Sequence, residues 1–246
     1  MRILVSNDDG VYSKGIKTLS QALKKIADVT VVAPSRERSA ASHSLTLHRP
    51  LRVLKIAPQI YAVDGTPTDA VTLGIFEIMK HKPDIVISGI NHGANLGDDV
   101  HYSGTVSAAI EGAIAGFPAI AISLMGRDKQ NFGPAAAFAV RLAKKVYKEG
   151  LPKGIVLNVN VPNIPQRSLK GYEWTKIGKR KYGDIIVEKV DPRGRPYYWI
   201  GGDETGFVDI KSSDCNAVLS DKISITPLRV DMTDHAYLKK FESWKL

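Results

Sequence analysis

Cysteine is almost absent from this chain: Cys215 is the only one among 246 residues. A lone thiol excludes an internal disulfide framework and a cysteine-rich metal cage. Long apolar runs are missing too, and none approaches the roughly 20 residues that a membrane-crossing helix needs. The opening MRILVSNDDG is not read as a signal peptide, because its short apolar stretch stops at two carboxylates. The expected setting is therefore cytoplasmic, with no membrane partner. Two nucleotide signatures are also lacking. No G-x-x-x-x-G-K-[ST] occurs and no G-x-G-x-x-G follows the first strand, so the P-loop class and the usual dinucleotide fingerprint are excluded. Internal repeats and low-complexity tracts are absent as well.

What remains is ordinary globular composition, with 43% hydrophobic and 24% charged residues in a chain long enough for one large domain and an elaboration. The net charge of +9 favours anionic partners, either nucleic acid or phosphorylated small molecules. So basic a chain, rich in lysine, also suits a heat-adapted protein. Lys and Arg are spread along the chain, with one dense cluster at residues 176–181, which reads as a solvated hairpin or loop. Nucleic-acid binding is disfavoured. It calls for aromatics interleaved with the basic residues, and only Trp174 and Tyr182 qualify.

The first part of the chain alternates short β-branched runs with helical patterns, which predicts an α/β fold built on a parallel sheet. Strands are expected at residues 3–5, 29–33, 85–88, 119–123 and 156–161, and a helix over residues 16–26. Thr66-Pro67-Thr68-Asp69 offers an N-cap, a proline at the first helical position and an acid at the third. Between residues 42 and 63 the pattern turns to alternation, with strands expected at 44–48, 51–56 and 60–63. Two further runs, residues 185–190 and 197–200, flank Asp191-Pro192-Arg193-Gly194, a hairpin signal. The expected organisation is a catalytic core over residues 1–164, a β-hairpin arm over 165–205, and a C-terminal strand and helix over 206–246, the strand at 223–227 and the helix at 233–244.

In open α/β sheets a ligand binds beyond the carboxyl ends of the strands, so the residues that follow each strand carry the chemistry. After the first come Asn7-Asp8-Asp9-Gly10, after the second Ser35-Arg36-Glu37-Arg38-Ser39, and after the third a glycine-rich loop from Gly89 to Gly97. Three strand ends thus deliver oxygen ligands, glycines and arginines to one crevice. Asp8 and Asp9 would repel each other there unless a positive charge stood between them, and a hard cation such as Mg²⁺ or Mn²⁺ suits such oxygens. An isolated Asp-Asp-Gly is more often a mere turn; its place after the first strand favours function. Ser103-Gly104-Thr105-Val106-Ser107 then opens a helix at 108–115, a start suited to a single phosphate, although a plain Ser/Thr cap is the commoner use of those residues. Among the histidines, His43 is the candidate proton donor.

These motifs, in this order, resemble the stationary-phase survival protein SurE family of nucleotidases. The likeness rests on Ile3-Leu4-Val5-Ser6-Asn7-Asp8-Asp9-Gly10, on Val32-Ala33-Pro34 with Arg38-Ser39, on Gly65-Thr66-Pro67, and on Ser88-Gly89-Ile90-Asn91 with Gly93 and Asn95. Ser103-Gly104-Thr105-Val106-Ser107-Ala108, then Asp214, Ala217-Val218 and Ser224-Ile225-Thr226-Pro227-Leu228, extend it almost to the end. The resemblance implies a Rossmann-like three-layer core with a protruding C-terminal β-hairpin and a terminal helix, used to build a homodimer or homotetramer. It also implies hydrolysis of nucleoside 5′- and 3′-monophosphates, and of short polyphosphate in some members. One divalent cation (Mg²⁺, Mn²⁺ or Co²⁺) would sit on Asp8, Asp9, Ser39 and Asn91, with phosphate held by Asn95, Ser103, Gly104 and Thr105. Asp8 and Asp9 are then the expected catalytic pair, either taking a proton from water or attacking phosphorus directly. A non-catalytic nucleotide sensor would explain the anion site but would leave the Asp8–Asp9 pair without a purpose.

Overall fold

The computed structural model describes residues 1–126, 129–182, 186–200 and 204–244. Thirteen strands and six α-helices are named in chain order. The strands are β1 Arg2–Ser6, β2 Asp28–Pro34, β3 Val53–Ala57, β4 Ile60–Val63, β5 Ile85–His92, β6 Ala119–Leu124 and β7 Ile155–Val161, followed by β8 Tyr172–Trp174, β9 Arg180–Tyr182, β10 Ile186–Val190, β11 Pro196–Ile200, β12 Glu204–Phe207 and β13 Ile223–Arg229. The helices are α1 Lys14–Leu23, α2 Pro67–Leu73, α3 Gly104–Ile114, α4 Gly133–Glu149, α5 Asp214–Leu219 and α6 His235–Phe241. None of the described helices is long and apolar enough to cross a membrane.

Nine strands form the central sheet in the order β3-β4-β2-β1-β5-β6-β7-β13-β8. The run from β4 to β7 is parallel, whereas β3 is antiparallel to β4 and β13 is antiparallel to β7. The expected α/β core is present, but its sheet is mixed rather than wholly parallel. Strand side chains alternate between two helical layers. Ile3 and Val5 of β1 pack in a core with Leu19 of α1 and Phe138 of α4, while Leu4 between them packs with Val71 of α2 and Val106 of α3. The α1 residues Ile16, Leu19 and Leu23 recur at helical spacing and are all buried.

That helix ends three residues before the pattern suggested. Ile26 and Ala27 turn back to bond the Leu23 carbonyl, at 2.9 and 3.1 Å, so that β2 can begin at Asp28. Residues 44–48, expected as a strand, form none. The Thr46 N–H and hydroxyl both donate to the Asp69 carboxylate, at 2.9 and 2.6 Å, and the Thr66 hydroxyl donates to the Ser44 carbonyl at 2.7 Å. Side chains of the α2 capping box thus take the bonds a ladder would have used, and Leu47 stays 86% exposed. Within the span read as an arm, β8 instead lies in the central sheet beside β13. The hairpin β10–β11 closes through the expected turn, with Asp191 Oδ1 accepting from the N–H groups of Arg193 and Arg195. Its anticipated first residue, Ile185, lies outside the described residues.

Sheet order reverses on either side of β1: the chain moves one way to β2 and returns on the other side as β5. Such a switch point opens a crevice at the carboxyl ends of the two strands.

Candidate active site

A cavity of about 1210 Å³ occupies that crevice. Asp8, Asp9, Ser39, Asn91, Asn95 and Ser103 line it, so six of the eight residues singled out in the sequence share one surface. Gly104 and Thr105 stand behind it in the first turn of α3.

Asp8 leaves β1 in a tight turn. Gly10 has φ +92°, and a Cβ there would meet the Arg36 backbone at 3.0 Å, so the loops after β1 and β2 touch. The Arg38 N–H accordingly donates to the Asp8 carbonyl at 2.8 Å, which draws the Ser39 segment to the Asp pair. Asp8 is 5% exposed, and the Thr105 hydroxyl donates to its Oδ1. Thr105 therefore holds a carboxylate at the start of α3, where the helix dipole favours negative charge. The approach is close because residue 104 is glycine: a Cβ there would lie 2.8 Å from Asp8 Cβ and 3.0 Å from Asp8 Oδ2.

Burial raises the pKa of both acids. Asp8 is pushed up by desolvation against the pull of its Thr105 hydrogen bonds. Asp9 is pushed up to about 7, first by desolvation and then by the neighbouring Asp8 charge. Asp9 is held more loosely, through a 3.3 Å bond from the His92 N–H and an approach of 3.5 Å to His92 Nδ1. The His92 ring packs against Phe132, and desolvation keeps its pKa low. Neutral imidazole therefore offers the two acids little charge compensation.

Ser39 donates its hydroxyl to Glu37 at 2.6 Å, and Glu37 shares the cavity. Asn91 was expected in a loop, but β5 runs on through it with a shift of register between Gly89 and Asn91. Its amide nitrogen donates to the Gly93 carbonyl at 2.9 Å, which leaves its oxygen as an acceptor toward the cavity. Two carboxylates, a hydroxyl and an amide make an all-oxygen set, and the raised acid pKa values mark a place where positive charge would stabilise the fold. This donor chemistry fits a hard divalent cation. Among the described residues no group of three His, Cys, Asp or Glu forms a cage, so such a site depends on Ser39 and Asn91 as well as the acids.

Ser103 caps α3, accepting from the Val106 N–H at 3.1 Å, and Asn95 lines the same cavity. His43 is placed elsewhere: its Nε2 meets Glu111 Oε2 at 2.9 Å, and Thr72 donates to the other oxygen. It does not line the cavity. The structure adds residues that the sequence did not single out. Tyr102, Met125, Arg180 and Phe207 also line the cavity, with the Arg180 guanidinium 5.5 Å from the Phe207 ring and 2.7 Å from Asp99. Arg180 belongs to the basic cluster read as a solvated loop, and no local pattern distinguishes it from its lysine neighbours.

Comparison with known proteins shows the family and the fold. A family model described as "Survival protein SurE" matches residues 3–184. The 5′-nucleotidase SurE of Geobacter sulfurreducens is 56% identical over 100% of this chain and 94% of its own length. That of Geotalea uraniireducens is 54% identical over 100% of both chains. The crystal structure of the SurE protein from Aquifex aeolicus matches with a TM-score of 0.90 at 45% identity, covering 98% of each chain.

Proposed function

The chain belongs to the SurE family, and from that premise we propose that it is a divalent-metal-dependent phosphatase that hydrolyses nucleoside 5′- and 3′-monophosphates to nucleoside and phosphate. One observation carries the proposal: two adjacent carboxylates with raised pKa values, Asp8 buried and Asp9 nearly so, line one cavity beside the anion-suited start of α3.

Asp8, Asp9, Ser39 and Asn91 would hold a single cation (Mg²⁺, Mn²⁺ or Co²⁺), which when bound supplies Lewis-acid polarisation of a phosphate oxygen. The chain's own groups do the rest. Asn95, the Ser103 hydroxyl and the first-turn N–H groups of α3 are assigned to the remaining phosphate charge, which spreads over the equatorial oxygens in the transition state. Thr105 keeps Asp8 in place. Asp9, the less tightly bonded acid, takes the proton of the attacking water as the water oxygen joins phosphorus and the bond to the ribose oxygen breaks, and solvent supplies the proton that turns the leaving ribose oxygen into a hydroxyl. The Arg180–Phe207 wall leaves room for the nucleoside. Arg180, with Lys176, Lys179 and Lys181 in the same segment, also supports action on short polyphosphate.

Apolar side chains crowd the outer arm and the C-terminal helix, among them Trp199 at 64% and Ile200 at 85% exposed, with Phe241 and Trp244 on α6 and beyond. So much apolar surface favours assembly, and a homodimer or homotetramer through this region is part of the proposal. The single buried thiol of Cys215 suits a reducing, cytoplasmic setting.

The test is hydrolysis of a panel of nucleoside 5′- and 3′-monophosphates and short polyphosphate before and after EDTA. Turnover should vanish with the metal and return with Mg²⁺, Mn²⁺ or Co²⁺. Full activity of the metal-stripped protein would refute the metal site, and nucleotide binding without turnover under every metal would leave a sensor instead of an enzyme.

A further inference from the structure

Two asparagines deep in the sheet have no part in the chemistry assigned so far. Asn158 and Asn160 lie on β7, two residues apart and so on the same face, and both are 0% exposed. Ser123, on the neighbouring strand β6, is also 0% exposed. Burying neutral amides costs free energy unless each finds a partner. Here one residue, Asn95, takes both side-chain nitrogens and the Asn160 oxygen. The Asn95 N–H donates to Asn160 Oδ1 at 2.7 Å, and the Asn95 carbonyl accepts from Asn158 Nδ2 at 2.9 Å and from Asn160 Nδ2 at 3.0 Å. The Asn95 side chain is fixed as well, its Nδ2 donating to the Ser123 hydroxyl at 2.7 Å.

We infer that Ser123, Asn158 and Asn160 are positioning residues for phosphate, acting only through Asn95. Four hydrogen bonds converge on a residue that belongs to no strand or helix. Asn158 and Asn160 clamp its peptide as a neighbouring strand would, and Ser123 sets its side-chain rotamer. An amide nitrogen carries two hydrogens. Ser123 takes one, and the other is left for a phosphate oxygen in the cavity that Asn95 lines. Pre-organisation of this kind lowers the cost of ordering a donor when the anion arrives. An unanchored Asn95 would have to give up rotamer freedom at that moment.

The inference rests on the reading of Asn95 as a phosphate ligand, and a double-mutant cycle separates the two. Calorimetry measures the affinity of inorganic phosphate for the Mg²⁺-loaded wild type, Ser123→Ala, Asn95→Ala and the double variant, with thermal melts confirming that each is folded. Ser123→Ala should weaken phosphate binding about three- to tenfold, the worth of one neutral hydrogen bond. In the Asn95→Ala background the same change should do nothing further, because its only route is gone. Equal losses in both backgrounds, or none in either, would overturn the inference. No loss from Asn95→Ala alone would instead overturn the phosphate-site reading. Ser123→Cys fills the same space with a poor acceptor, and it replaces the alanine variant in the same cycle should that variant fail to fold.

Discussion

Replacing Asp9 by asparagine should make the metal-free protein more stable and the metal-loaded protein less so. Asp9 has its pKa raised from 3.8 to about 7 by burial and by the Asp8 charge. A folded-state value above the unfolded one means that the folded chain holds the extra proton. Stability from this group is therefore full below about pH 4 and is lost as pH rises to about 7. Each pKa unit corresponds to about 1.4 kcal/mol, so three units set a ceiling of about 4 kcal/mol on the cost of ionising Asp9 at pH 8. The acid is only 10% exposed, so solvent screens it little, but relaxation of the turn recovers part of the cost. A gain of about 2 kcal/mol is expected for Asp9→Asn in EDTA at pH 8, or about 4 to 8 °C in Tm for a chain of this size. Asparagine keeps an oxygen for the His92 N–H, so the turn survives. Metal reverses the order. At a concentration 100 times Kd a ligand stabilises by about 2.7 kcal/mol, and a hundredfold weaker site leaves about 0.4 kcal/mol. Thermal melts of both proteins, with EDTA and with Mn²⁺, read the two shifts directly. Repeating the EDTA melts toward pH 4 should erase the difference. If Asp9→Asn melts lower than wild type in EDTA yet gains the same increment from Mn²⁺, Asp9 is only a turn residue.

Metal affinity itself should be pH-dependent, because a carboxylate ligand must lose its proton to bind; calorimetric titration with Mg²⁺ should show weakening of about tenfold per unit below pH 7. Gly104→Ala would set a methyl group 2.8 Å from Asp8 Cβ and 3.1 Å from Pro67 Cγ. Steady-state kinetics should show kcat/KM falling at least about tenfold, with the far-UV circular dichroism unchanged. Asp69→Ala removes the acceptor for Thr46 N–H, Thr46 hydroxyl and Thr66 N–H. Urea unfolding should register a loss of about 3 kcal/mol, and limited proteolysis should cut near residues 44–48 in the variant alone. Trp199→Lys places a charge on the exposed hairpin, and light scattering should show a shift toward the 26.8 kDa monomer without loss of secondary structure.

Local interactions are what the sequence could reveal by itself. The strands β1, β2 and β6 are short, largely apolar runs rich in β-branched residues and buried on both faces, and the capping box at Thr66 and Asp69 is complete within four residues. Because parallel strands all present their carboxyl ends to one edge, the motifs after β1 and β2 and at the end of β5 could be assigned to a common crevice before any coordinates were known. The outcome depended on long-range pairing wherever a residue's partner lay far along the chain. Residues 44–48 alternate like a strand, but their hydrogen bonds go to the Asp69 carboxylate, and an alternating pattern says nothing of what lies opposite. The strand β13 reads as a strand in isolation, yet only tertiary contact decides that it pairs antiparallel with β7. The family resemblance assigns Thr105 to phosphate, and only the tertiary structure shows that its hydroxyl donates to Asp8, 97 residues away. Asn158 and Asn160 show no sign in the sequence of serving Asn95, 63 and 65 residues away, because a buried amide takes its meaning from whichever backbone group the fold brings within 3 Å of it.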